Sequence, residues 1–131
     1  MARRMKGLTY ELVGVRDAGD GVMGVRDKII VKDEFGRRHE FYLGDEKAEL
    51  FLRELGLRLE DVEGLPFGMA QGKLSFIYHM MCARNLAQSG DAKAADEELR
   101  QAENGARMAD GVLDASKHQQ IEEVRSLVQT A

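Results

Sequence analysis

The chain has no tryptophan, one proline and one cysteine. The lone cysteine, Cys82, excludes an internal disulfide, so the fold is not a disulfide-stapled secreted scaffold and suits a reducing compartment. No apolar run approaches the ~20 residues that span a bilayer. The start, Met1-Ala-Arg-Arg-Met-Lys, carries charge with no apolar stretch behind it, so no secretory leader is expected and the expected location is the cytoplasm. Aromatics are few, three Tyr and five Phe, far from the surplus that stacking platforms for nucleobases require. Within these limits, 131 residues with 44% hydrophobic and 32% charged side chains describe one globular domain. A chain of this size buries roughly two-thirds of its unfolded surface, enough to fold with neither metal nor cofactor.

Charge is uneven. Residues 1–43 carry nine Lys/Arg against seven Asp/Glu, and residues 44–131 carry ten against sixteen. The acidic second half argues against a broad nucleic-acid surface there. The first half offers a basic set in Arg3, Arg4, Lys6, Arg16, Arg26, Lys28, Arg37 and Arg38, which read most simply as a solvated β face with a basic leader.

The hydrophobic periods predict an α+β fold. Leu8, Tyr10 and Leu12 alternate with Thr9, Glu11 and Val13, predicting a strand over 7–14. Asp17, Gly19, Asp20 and Gly21 mark a flexible connection. Lys28-Ile-Ile-Val-Lys32 and the alternation from Arg38 to Leu43 predict a hairpin, with Gly36 taking positive φ in its turn. A helix follows, capped by Asp45, burying Ala48, Phe51, Leu52 and Leu55 and stopped by Gly56. Residues 57–72, around Pro66, read as a connecting segment that packs on the core. Residues 73–89 are apolar on nearly every side and predict a buried helix ended by Gly90. Residues 91–109 form the clearest helix, capped by Asp91, with acid-to-base pairs Asp96/Arg100 and Glu103/Arg107. Its seam is Ala92, Ala95, Leu99, Ala102, Ala106 and Ala109. Ser116 with Gln119 predicts a capping box for a last helix burying Ile121, Val124, Leu127 and Val128. The expected architecture is thus a small antiparallel sheet of about three strands with one helix (7–56), the segment 57–72, and a helical part of about three helices (73–130).

Motifs that carry chemistry elsewhere fail here on context. Gly19-Asp-Gly-Val-Met-Gly24 has the G-x-G-x-x-G spacing, but strand-like residues follow it where a dinucleotide fold needs a helix. In a kinase-type loop Lys28 or Lys32 would be the phosphate lysine, yet no catalytic Asp–Asn pair follows. The bland reading is a mobile hairpin loop. His79 and Cys82 share a helix face, but two ligands do not make a zinc site, and a nucleophilic thiolate needs exposure that this apolar run denies. Glu60, Asp61 and Glu63, and Asp96, Glu97 and Glu98, read as solvated acids, without the burial that splits a catalytic pair.

Two stretches resemble known families. Ala83 to Ala102, with its Gly90-Asp91 turn and alanines in the second helix, resembles part of a tetratricopeptide repeat, which implies a helical hairpin. Lys28 to Gly72, as strand, turn, strand, helix and a Glu63-Gly-Leu-Pro-Phe-Gly68 return, is similar in layout to phage single-stranded-DNA-binding proteins. The function expected from the residues is a non-catalytic protein-interaction module: an adaptor, assembly chaperone, inhibitor or immunity-type protein. Leu99, Ala102, Ala106 and Met108 would serve a protein partner or a second copy of the chain, with Met80 and Met81 adding an adaptable groove. The alternative is a nucleic-acid-binding accessory protein of phage or mobile-element type, using Arg3, Arg4, Lys6, Lys28, Arg37 and Arg38.

Overall fold

A computed structural model describes residues 10–17, 19 and 21–130. Strands β1 (Tyr10–Arg16), β2 (Lys28–Asp33) and β3 (Arg38–Tyr42) form an antiparallel sheet in the order β1-β2-β3. There follow α1 (Glu46–Glu54), a 3-10 turn (Leu59–Asp61), α2 (Phe67–Gln88), α3 (Ala92–Asp110) and α4 (Ala115–Thr130). This is the α+β architecture that the hydrophobic periods predict. The chain forms two compact units, the first ending at Gln71 and the second beginning at Gly72, so the segment 57–71 belongs to the β-rich unit.

The β-branched run of β2 sits at the centre of the sheet, and Ile29, Ile30 and Val31 are all buried. Its turn into β3 is built by Asp33, whose Oδ1 accepts from the amides of Phe35 and Arg37, both at 2.9 Å. Gly36 takes φ 81° there, as the turn chemistry predicts. β1 departs from the expected 7–14. It runs on to Arg16, while Leu8 and Thr9 lie outside the described residues. The pairs Leu12↔Val31 and Gly14↔Ile30 leave Val13 unopposed, a β-bulge. The bulge resets the alternation, so Leu12 and Val15, three apart, both stand opposite the core-facing residues Val31 and Ile29. On that face Tyr10 meets Phe41 and Phe51 edge-on, at 5.6 and 6.4 Å between ring centres.

α1 buries Ala48, Phe51 and Leu52, and Gly56 at φ 77° ends the turn after it. Asp45 stands at the cap position, but its side chain makes no capping bond. Residues 21–24 of the loop before β2 are tied down, in contrast to the mobile hairpin loop expected. The Met23 amide donates to the Leu65 carbonyl, Gly64 donates back to Met23, both at 2.7 Å, and Val22 pairs with Pro66. The Met23 side chain is buried.

α2 begins at Phe67, six residues before the expected start, and takes in Gly68 and Gly72. The Pro66 carbonyl accepts from Ala70 at 3.0 Å and so opens the helix, a place where proline's missing donor is no loss. In the helical unit Gly72 and Gly105 let α2 and α3 touch backbone to backbone. A Cβ on Gly72 would stand 2.5 Å from the Gly105 carbonyl oxygen, and one on Gly105 2.7 Å from the Phe76 nitrogen. Gly105, which costs α3 helix propensity, is therefore a packing residue. Phe76, Met80 and Ala83 of α2, Leu99 and Ala102 of α3, and Ile121 and Val124 of α4 share one core.

α3 is capped by Asp91, which accepts from the Ala94 amide at 3.1 Å. Its buried stripe is Ala94, Ala95, Leu99, Ala102, Gly105 and Ala106. Ala92 is exposed and Ala109 only half-buried, so the expected seam is too long at both ends. Gly111, at φ 80°, separates α3 from α4. Asp114, not Ser116, caps α4, because its carboxylate reaches the Lys117 amide at 2.8 Å. Leu127 lies at the rim of the α4 stripe and is exposed, in contrast to Ile121 and Val124.

Candidate functional site

The sheet has two chemically different faces. Tyr10, Leu12, Val15, Ile29, Val31, Asp33, His39 and Phe41 share the face toward α1, as the register and ring contacts place them. The register puts Glu11, Gly14 and Arg16 of β1, Lys28, Ile30 and Lys32 of β2, and Arg38, Glu40 and Tyr42 of β3 on the other. That face thus holds four cations and two carboxylates around buried Ile30. Glu40 Oε1 lies 3.4 Å from Lys28 Nζ and 3.7 Å from an Arg16 nitrogen. Lys32 and Arg38 face each other directly across β2 and β3. Among the described residues no carboxylate lies within ion-pair distance of either. Like charges directly opposite destabilise a sheet, a cost that Glu11, opposite Lys32 on its other side, offsets in part.

Two exposed aromatics accompany the cations. Tyr42 is 49% exposed, with Lys28 Nζ 5.4 Å from its ring centre. Phe35, in the β2–β3 turn, is 73% exposed and carries the Arg37 guanidinium 5.3 Å from its ring centre. In each case an exposed ring lies beside a cation, a cation–π contact at the surface. The turn is pre-set by Asp33. Besides the two amides it bonds His39 Nε2 at 2.7 Å through Oδ2. That bond above all, helped by the Arg37 and Phe35 amides, holds the Asp33 carboxyl down at about 2.

The helical unit has one polar pair inside its packing. His79 Nδ1 on α2 and Glu98 on α3 meet at 2.5 Å and are both mostly shielded. Glu98 is thus not the solvated acid expected; a histidine nineteen residues back holds it. Cys82, one turn beyond His79, is buried. No group of three or more His, Cys, Asp or Glu is arranged to hold a metal ion among the described residues.

The residues expected to meet a protein partner are dispersed between core and surface. Leu99, Ala102 and Ala106 are buried in the helical unit's own core, and Met80 with them. A partner would reach them only by opening the unit. Met108 is 55% exposed. Of the expected nucleic-acid contacts, Lys28 and Arg38 share the outer sheet face and Arg37 flanks the turn, while Arg3, Arg4 and Lys6 lie outside the described residues. Lys32, Tyr42, Phe35 and Glu40 were not in the expected set. The Lys28-Ile-Ile-Val-Lys32 alternation carried Lys32, since positions two apart share a strand face. The bulge at Val13 hid the placing of Arg16. No family model, no curated protein and no solved structure matches the chain, and no helix among the described residues is long and apolar enough to cross a membrane.

Proposed function

We propose that the β-rich unit binds single-stranded nucleic acid along the exposed charged residues of the sheet face opposite α1, beside buried Ile30 and the Gln71 side chain that lies against Gly14. The observation that carries this is the cross-strand pair Lys32–Arg38, which no carboxylate among the described residues meets at ion-pair distance although Glu11 stands opposite Lys32, on the same face as exposed Tyr42. Phosphates would sit on the cations, and unstacked bases would lie on Tyr42 and Phe35, which a duplex keeps out of reach. The chain's net charge of −4 does not oppose this, because four cations against two carboxylates leave this face locally positive. Fluorescence anisotropy with a labelled oligothymidine and the matching duplex tests it. Binding in low salt should favour the single strand, and Tyr42→Ala should weaken it by about 1–3 kcal/mol. Equal affinity for duplex, or no loss on removing the ring, contradicts the stacking role.

A second reading, a non-catalytic protein-interaction module, is supported by the end of the third helix. There Met108 and Val112 are 55% and 62% exposed, four residues apart. Both readings place the chain in the cytoplasm, where Cys82 stays reduced. If the surface joins two copies, light scattering finds a dimer that Met108→Glu with Val112→Glu dissociates. A monomer at all concentrations removes that form of the reading.

A further inference from the structure

We propose that Glu40 is a built-in competitor for phosphate on the sheet face, an inference that rests on the nucleic-acid reading above. Glu40 stands in the middle of the edge strand β3, opposite Ile30. One carboxylate oxygen, Oε1, is shared between Arg16 of β1 and Lys28 of β2, at 3.7 and 3.4 Å. Those two cations come from different strands and converge on one point, which is how a phosphate oxygen would be held. All three side chains are partly exposed, so a ligand reaches them without any rearrangement of the core. Lys28 is also the cation beside the Tyr42 ring. A nucleotide stacked on Tyr42 therefore places its phosphate next to the ammonium that Glu40 holds.

The face then has two tiers of positive charge. Lys32 and Arg38 are exposed and, among the described residues, make no ion pair, although Glu11 stands opposite Lys32. Arg16 and Lys28 are engaged by Glu40, and a phosphate taking them must displace the carboxylate or sit against it. Exposed ion pairs of this kind are weak, so the exchange is easy in energy but costs affinity. The effect is to keep the grip loose and release fast. A sheet face with all four cations open would bind more tightly and carry a steeper salt dependence.

The test is the salt dependence of binding to a labelled oligothymidine for the wild-type chain, Glu40→Gln, and Glu40→Gln in an Arg16→Gln/Lys28→Gln background. Glutamine keeps the shape and removes the charge, and thermal unfolding checks that each variant is folded. Glu40→Gln should bind several-fold tighter at low salt, with log K falling more steeply against log salt by about 0.7 for each phosphate newly held. The gain should vanish in the triple variant, because Glu40 acts only through those two cations. If wild type binds with salt-dependent affinity and Glu40→Gln matches it within twofold and in slope, the competitor is refuted while the binding face stands. Weaker binding by folded Glu40→Gln refutes it too, since Glu40 would then be part of the grip. A gain that persists in the triple variant refutes the route through Arg16 and Lys28. If the wild-type chain binds no single strand even in low salt, the binding face itself fails and the competitor with it.

Discussion

At the scale of single residues, the β2–β3 turn shows how one side chain organises a loop. Asp33 satisfies two turn amides and the His39 ring together, and Gly36 supplies the left-handed backbone that closes the turn. Gly36→Val places a β-branched residue at φ 81° and should cost on the order of 1 kcal/mol or more, read as a lowered denaturation midpoint. Asp33 predicts the acid behaviour. Its carboxyl is held at about 2 in the folded chain, below the 3.8 it has unperturbed. The depressed value means that its stabilisation is complete above the unfolded value and is lost as pH falls from about 4 toward 2. Asp33→Asn should flatten that part of a thermal-midpoint curve against pH. An unchanged curve would show that the turn does not depend on the ionised carboxylate.

At the scale of elements, glycine position decides the sign of a substitution. Gly68 in α2 has open space where a Cβ would go, whereas a Cβ on Gly105 meets the backbone of Phe76 and Gly72 at 2.7 and 2.9 Å. Gly68→Ala should therefore raise stability by up to about 1 kcal/mol through helix propensity. Gly105→Ala should lower it despite the same propensity gain, because α2 and α3 must move apart. Ala102→Phe, at a fully buried position, should overpack the same core and cost roughly 1–3 kcal/mol. Chemical denaturation of the three variants reads all three effects.

The elements themselves were legible wherever one local rule decided them. The β2–β3 hairpin followed from alternation and Gly36, α3 from its 3–4 spacing and Asp91, and the break before α4 from Gly111. Some errors were local, such as the caps assigned to Asp45 and Ser116; the larger ones came where distant partners decide. The packing role of Gly105 depends on Gly72 thirty-three positions back, and the bulge at Val13 depends on the register with β2. The pinned loop at Met23 depends on backbone groups of residues 64–67. The candidate site was half legible for the same reason. The basic residues were visible in the sequence, but which of them share a face followed only from the pairing of three strands. The alanine seam was visible too, and burial in the chain's own core shows what it packs on.

At the scale of the whole molecule, an acidic chain carries a locally positive sheet face. Arg16, Lys28, Lys32 and Arg38 converge on one sheet face although the chain totals −4. The central claim is that this face holds phosphates, and its most direct test compares salt slopes. Oligothymidine affinity of the wild-type chain should fall linearly on a log–log plot against salt. Lys32→Gln with Arg38→Gln should weaken binding at low salt and make the slope shallower by about 1.4, at about 0.7 for each lost phosphate contact. Equal slopes for a folded double variant and the wild-type chain would contradict the account, because Lys32 and Arg38 would then hold no phosphate.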